Sequence, residues 1–217
     1  MSKLRTTLII VLLIGLTVFS SACRESTEIL DVLDITNKSE YTPKAGIEHN
    51  QALSTISDYL KNERNVGGDF TNEIDLKELT TEELWENSRL QVYRVTIRYA
   101  WLDGVVIFED GNLIGMLWGQ DIISILASDL DSDGFYEICM NTNFGSGFVR
   151  SLIIVYDVKT KTEHQLEMND DIWDVLMYPN NDNHSVDVYS KDMRETVEYK
   201  EYMGELRLNN NRLEIIQ

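Results

Sequence analysis

Cysteine, proline and histidine are all scarce in this chain. Two cysteines, Cys23 and Cys139, and three histidines are spread over 217 residues. Two cysteines make no disulfide framework of the kind that staples small secreted domains. His49, His164 and His184 lack the His-x-x-x-His spacing of a helical zinc site. With only two prolines, little interrupts regular strands. Positive charge is also short: 19 Lys and Arg stand against 37 Asp and Glu, a net charge of -18. Such a surface repels nucleic acid and anionic lipid, which leaves cations, basic proteins and surface polymers as partners. No Gly-x-Ser-x-Gly elbow and no Gly-Lys-Ser/Thr phosphate loop occurs. The adjacent carboxylates Asp170 and Asp171 would face opposite sides of a strand, so they do not form an acid/base pair. No catalytic constellation emerges.

Long apolar runs are missing too. The longest, residues 8–19, covers under ~20 Å at about 1.5 Å per residue, against the roughly 30 Å of a bilayer core. Lys3 and Arg5 precede it and the small residues Ser20, Ser21 and Ala22 follow, so residues 1–22 read as a secretory signal. Cys23 comes next. This segment resembles the lipobox of bacterial lipoprotein precursors, whose signal is cut before a cysteine that is then acylated. Ala22 and Cys23 fit that pattern and Ser21 is acceptable, while Ser20 stands where leucine is usual. The resemblance implies a lipid on Cys23 and anchoring at the extracytoplasmic face of the cell membrane. Plain secretion is one alternative, because Ser20 and Ala22 also suit an ordinary cut, and an uncleaved anchor is the other.

Residues 23–46 are polar and acidic and read as a lipidated tether. Residues 28–35 are more apolar than a tether needs and suit an edge strand. Residues 47–217 form a single, mainly β domain. In residues 48–64, Leu53, Ile56, Tyr59 and Leu60 keep helical spacing, and Val66-Gly67-Gly68 ends the helix. Thr80 and Glu83 look like a capping box for a second, short helix through Leu84 and Trp85. From residue 93 the period changes to two: Tyr93, Val95, Ile97, Tyr99 and Trp101 alternate with Arg94, Thr96, Arg98 and Ala100. Asp103-Gly104 and Asp110-Gly111 are the expected hairpin turns of a meander through residues 105–108 and 113–118. Further strands are expected at 124–127, 137–141, 151–157, 172–178, 186–189, 197–202, 205–208 and 213–216. The fold class is α+β, mainly antiparallel β in a meander or sandwich, with one or two N-terminal helices. No internal repeat is evident. Cys139 sits in a strand and reads as a buried apolar residue. Trp101, Trp118 and Trp173 read as core anchors.

One motif carries chemistry. Asp129, Asp131 and Asp133 alternate, Gly134 gives the bend, and Glu137 follows. A hard cation such as calcium wants six to eight oxygens at about 2.3–2.6 Å, and alternate acids in a tight loop can converge on one ion. An EF-hand would need its glutamate at Met140, so that arrangement fails. The stretch resembles the calcium loops of FG-GAP (integrin-type) and VCBS repeats, with Asp-x-Asp-x-Asp-Gly-x-x-Asp/Glu between two strands. The resemblance implies Asp129, Asp131, Asp133, Glu137 and the Phe135 carbonyl as ligands of a structural Ca2+. The alternative is an acidic turn without metal. Downstream, Gly145-Ser146-Gly147 between aromatics suits a hairpin connection or a ligand loop.

These features point to a membrane-anchored, non-catalytic binding or interaction domain stabilised by calcium. It would be held to the membrane by the lipid on Cys23 and would engage an unknown protein or surface ligand, and no nucleic acid. An envelope hydrolase or an accessory subunit of an envelope complex is the alternative.

Overall fold

The computed structural model describes residues 30–36, 41–63, 73–98, 102–144, 150–167, 174–191 and 200–217. Among them the chain makes mostly antiparallel strands and two short helices, so the α+β class with a dominant β part holds. The first sheet is β2 (Ile74–Glu78), β3 (Leu90–Ile97), β4 (Leu102–Glu109) and β5 (Asn112–Gly119), paired in chain order. The second is β6 (Asp121–Ser128), β7 (Glu137–Phe144), β8 (Arg150–Asp157) and β9 (Thr162–Glu167), with β1 (Leu33–Asp34) on the edge beside β6. The third is β10 (Asp174–Asn180), β11 (Ser185–Lys191), β12 (Lys200–Asn209) and β13 (Arg212–Ile216). Helix α1 spans His49–Glu63 and α2 spans Glu82–Ser88.

Three consecutive four-stranded meanders thus stack face to face. Side chains alternate along each strand, so every covered sheet feeds two cores. Tyr93, Val95, Val106 and Phe108 of the first sheet meet Ala52, Ile56 and Leu60 of α1. On the other face, Val92, Val105, Ile107 and Leu117 meet Ile125, Ile138, Met140 and Ile154 of the second sheet. The second sheet turns Leu126, Cys139, Ile153 and Val155 toward Val175, Met177, Val186, Val188 and Leu206 of the third. It lies between the other two sheets, which is why β8 contains the unbroken apolar run Leu152 to Val155 instead of an alternating pattern. Each fully buried aliphatic side chain contributes about 1.5–3 kcal/mol relative to exposure. The repeat missed in the sequence is one of topology: the meanders recur, and their residues do not.

Several expectations shift. Asp103-Gly104 is not a turn. Both residues lie inside β4, paired with Thr96 and Val95 of β3. Gly104 is needed for close packing: a Cβ there would sit 2.6 Å from the Trp118 ring. The strand expected over residues 93–101 is described to Ile97, with Tyr99 and Trp101 outside the described residues. Thr81, not Thr80, caps α2, its hydroxyl accepting from Leu84 N at 3.1 Å. Thr80 is buried and accepts from Val92 N at 3.0 Å, which ties it to β3. The third helical position is then Leu84, which has no acceptor to complete a capping box. The strands expected at 197–202 and 205–208 are described as one, β12, with a bulge opposite Val188 and Tyr189 and Gly204 at φ 137°. Strands β2 and β9 are additional to those expected, being short and largely polar.

Asp110-Gly111 does turn the chain between β4 and β5, with φ of 47° and 78°. Part of the segment read as a tether docks on the domain. Leu33 and Asp34 pair with Ala127 and Leu126, and Val32 and Ile35 are buried. Cys23, the signal segment, Val66-Gly67-Gly68, Gly145-Ser146-Gly147 and Trp173 lie outside the described residues. No helix among the described residues is long and apolar enough to cross a membrane.

Candidate metal centre

The acidic loop closes the first hairpin of the second sheet. Ser128, the last residue of β6, pairs with Glu137, the first of β7, and residues 129–136 bridge them. Short polar side chains that bond their own backbone organise such loops. Asp129 Oδ1 accepts from Asp133 N and its Oδ2 from Gly134 N, both at 2.9 Å. Asp131 Oδ1 accepts from Asp133 N at 3.2 Å, and Asp133 Oδ1 from Phe135 N at 3.0 Å. Gly134, at φ 85°, makes the bend expected of it. Leu130 is the loop's apolar plug. It is buried between the second and third sheets, and its carbonyl accepts from Leu208 N of β12 at 3.3 Å.

Glu137 sets this loop apart. Its side chain is fully buried, and Oε2 accepts from Leu130 N at 2.6 Å. Oε1 is shielded from solvent and has no hydrogen-bond partner among the described residues. Burial pushes its pKa up to about 9 against the pull of the Leu130 amide, and the charges of Asp131, Asp129 and Asp133 push the same way. Asp131 is raised as well, by burial first and then by Asp133 and Asp129. A buried carboxylate lacking a partner on one oxygen is costly when ionised, so the group calls for a proton or a cation.

One oxygen from each of Asp129, Asp131 and Glu137 lies within 4.8 Å of the others. Two ligands of one calcium ion sit at most roughly 5 Å apart, given Ca–O distances of about 2.3–2.6 Å. The donors are all oxygen, which suits a hard cation and not a soft one. A bare ion is smaller than water and can reach an oxygen that water cannot. Each carboxylate oxygen already engaged by an amide keeps a second lone pair. The residues therefore fit calcium.

The other two expected ligands stand differently. Asp133 is not in this convergent trio, and its Oδ2 accepts from Lys159 Nζ at 2.7 Å. The Lys159 ammonium also lies 5.3 Å from the centre of the Phe135 ring, which is 48% exposed. Phe135 donates its amide within the loop, as noted above. Lys159 and Asp157 escaped the sequence reading. Asp157 pairs with Glu137 across β7 and β8, is buried, and accepts from Thr160 N at 2.9 Å and from its hydroxyl at 2.6 Å. Only strand register brings Asp157 and Lys159 to the loop, and no local spacing announces them. Cys139, two residues on, is fully buried with its thiol pKa pushed well up by burial, which keeps it an unreactive core residue. The chain matches no family model, no curated protein and no solved structure.

Proposed function

We propose that this chain is an extracytoplasmic lipoprotein, anchored through an acylated Cys23, whose β domain holds one structural calcium ion in the 129–137 loop. In this reading it serves as a non-catalytic binding or interaction module. The observation that carries the calcium part is a buried Glu137 carboxylate with a solvent-shielded Oε1 that has no partner among the described residues, one of whose oxygens converges with oxygens of Asp129 and Asp131. The ion would neutralise the repelling carboxylates and pin the loop between β6 and β7. Because Leu130 plugs the next core, that order would extend to the third sheet. The anchor rests on the order basic residues, short apolar run, small residues, Cys23.

A thermal melt with and without calcium tests the site. Calcium at a hundredfold excess over Kd stabilises by about 2.7 kcal/mol, which for a chain of this size is about 5–10 °C. Chelator should remove that gain and Asp131→Asn should abolish it. Equal melting temperatures for the native chain in calcium and in chelator would rule the site out. The anchor is tested separately: Cys23→Ala should move the protein from the membrane fraction to the soluble one, and unchanged retention would reject lipidation there.

A further inference from the structure

The outer face of the third sheet carries an aromatic row on which the calcium loop makes no claim. Tyr178 of β10, Tyr189 of β11 and Tyr202 of β12 form a ladder of rings with centres 5.6 Å and 5.4 Å apart. The β12 bulge builds it. Asp187 pairs with Glu205 and Val188 with Gly204, but Tyr189 then pairs with Tyr202, skipping Met203. Without the extra residue Tyr189 would face Met203, and Tyr202 would lie on the other face of the sheet. Gly204 allows the bulge because its positive φ and its closeness to the Ile216 carbonyl leave no room for a side chain.

Beside this ladder an open groove of about 510 Å³ runs to the β10–β11 turn, within the size range of small-molecule sites. Tyr178, Pro179 and Tyr189 line it with Asn180, Asp182 and Asp187, and no basic residue is among its described lining. Asp187 Oδ2 accepts from Asn180 Nδ2 at 3.1 Å, while Oδ1 is shielded and has no hydrogen-bond partner among the described residues. The carboxylate is therefore only half satisfied, and it lines the same groove as the rings of Tyr178 and Tyr189. The rings are not coplanar: neighbouring planes meet at 80° and 62°. A flat saccharide stacks on a coplanar platform, whereas rings set at a steep angle form the walls of a corner. An organic cation in such a corner meets ring faces, which attract it through their quadrupoles, and a carboxylate that attracts it by charge.

We propose that the Tyr178–Tyr189–Asp187 groove is a binding site for a small organic ammonium ion. The ammonium would rest against the tyrosine faces with Asp187 as its counter-charge. The net charge of -18 draws such cations to the surface.

The test is calorimetric titration of the purified full chain with choline and with its uncharged carbon isostere, dimethylbutanol. Choline should bind at least about tenfold more tightly than the isostere, the margin expected of a partly desolvated cation–aromatic contact. Asp187→Asn, which keeps the shape of the side chain, and Tyr178→Leu should each weaken choline about fivefold or more. Asp58→Asn, which removes a charge from α1 at the far side of the first sheet, should leave affinity unchanged. Unaltered melting temperatures would show that the variants fold. Absence of choline binding, equal binding of the isostere, or full affinity in Asp187→Asn would each overturn the proposal. A neutral disaccharide binding in place of choline would do the same and would reassign the groove to sugars.

Discussion

Two acidic connections in this molecule look alike in sequence and behave differently in structure. Between β4 and β5 the chain turns through Asp110-Gly111, and between β6 and β7 it passes through residues 129–136. Both set Asp ahead of Gly, and both hold residues at positive φ, Ser132 and Gly134 in the second. In the first, the charge stays in water. Asp110 meets Arg89 Nε at 3.4 Å with the two side chains 64% and 45% exposed, a pairing worth about 0–1 kcal/mol and screened by salt. Glu109 beside it meets Lys161 at 3.5 Å, again near the surface. In the second, Glu137 takes a carboxylate wholly inside, and one oxygen from each of Asp129, Asp131 and Glu137 lies within 4.8 Å of the others. Density of acidic residues does not separate a turn from a site. Burial of one of them does, because only the buried group lacks water to satisfy it.

The sharpest way to break this comparison is through pH in the absence of divalent cations. Glu137 has a folded pKa raised to about 9 from its ordinary 4.5. Between those values the folded chain holds a proton that the unfolded chain has released. Stability is therefore fully present below about pH 4.5, falls as pH rises through the window, and is at its lowest above about pH 9, with a total of order a few kcal/mol. Saturating calcium should flatten the profile, since an ion takes the place of the proton. Glu137→Gln, which cannot ionise, should lose most of that slope in chelator, the remainder belonging to Asp131, and should show no gain in calcium. Urea melts at several pH values read both. A chelator profile with the same slope in the Gln variant would place the titration elsewhere.

A smaller effect should come from the cation next to the loop. Lys159 donates to Asp133 and lends positive charge to a site that would hold calcium. Lys159→Met should tighten calcium binding by about two- to fivefold at low salt, and the gain should shrink as salt rises. Lys161→Met, which frees only Glu109 beside the plain turn, should leave calcium affinity as it was. A calcium titration of the two variants side by side separates loop from turn. Equal shifts in both would mean that general surface charge sets the affinity.

Much of the fold was legible because alternation marks the strands. Asp110-Gly111 and the 113–118 strand followed from period and turn chemistry alone. Gly104 misled, since a glycine after an aspartate signals a turn until a tryptophan is known to pack on it. Thr80 misled by one position, because the hydroxyl of the better-looking cap is taken by a strand that only tertiary structure brings near. The loop's trio of Asp129, Asp131 and Glu137 was legible only as part of a larger set, since the alternating pattern named Asp133 as well and Asp133 is not among the convergent three. The solitude of Glu137 Oε1 and the approach of Lys159 to Asp133 were not, because both depend on which strands become neighbours. The tyrosine row was hidden for a similar reason: Tyr178, Tyr189 and Tyr202 share a face only through sheet pairing and a bulge.

The weakest expected effect closes the comparison. Asp110→Asn takes the charge from the exposed turn and leaves its geometry, since Asn before Gly suits two successive positive φ values as well as Asp does. The carbonyl of residue 110 still accepts from Asn112 Nδ2 at 3.4 Å, because that bond uses the backbone. What is lost is a solvated pairing with Arg89, so stability should change by no more than about 0.5 kcal/mol, or about 1–2 °C. The change should be the same in calcium and in chelator. Asp131→Asn makes the same chemical replacement in the other connection and should erase the calcium response while moving the chelator melt little. If Asp110→Asn erased that response instead, the ion would be bound by the diffuse acidity of the surface, and the buried carboxylate would no longer distinguish the two connections.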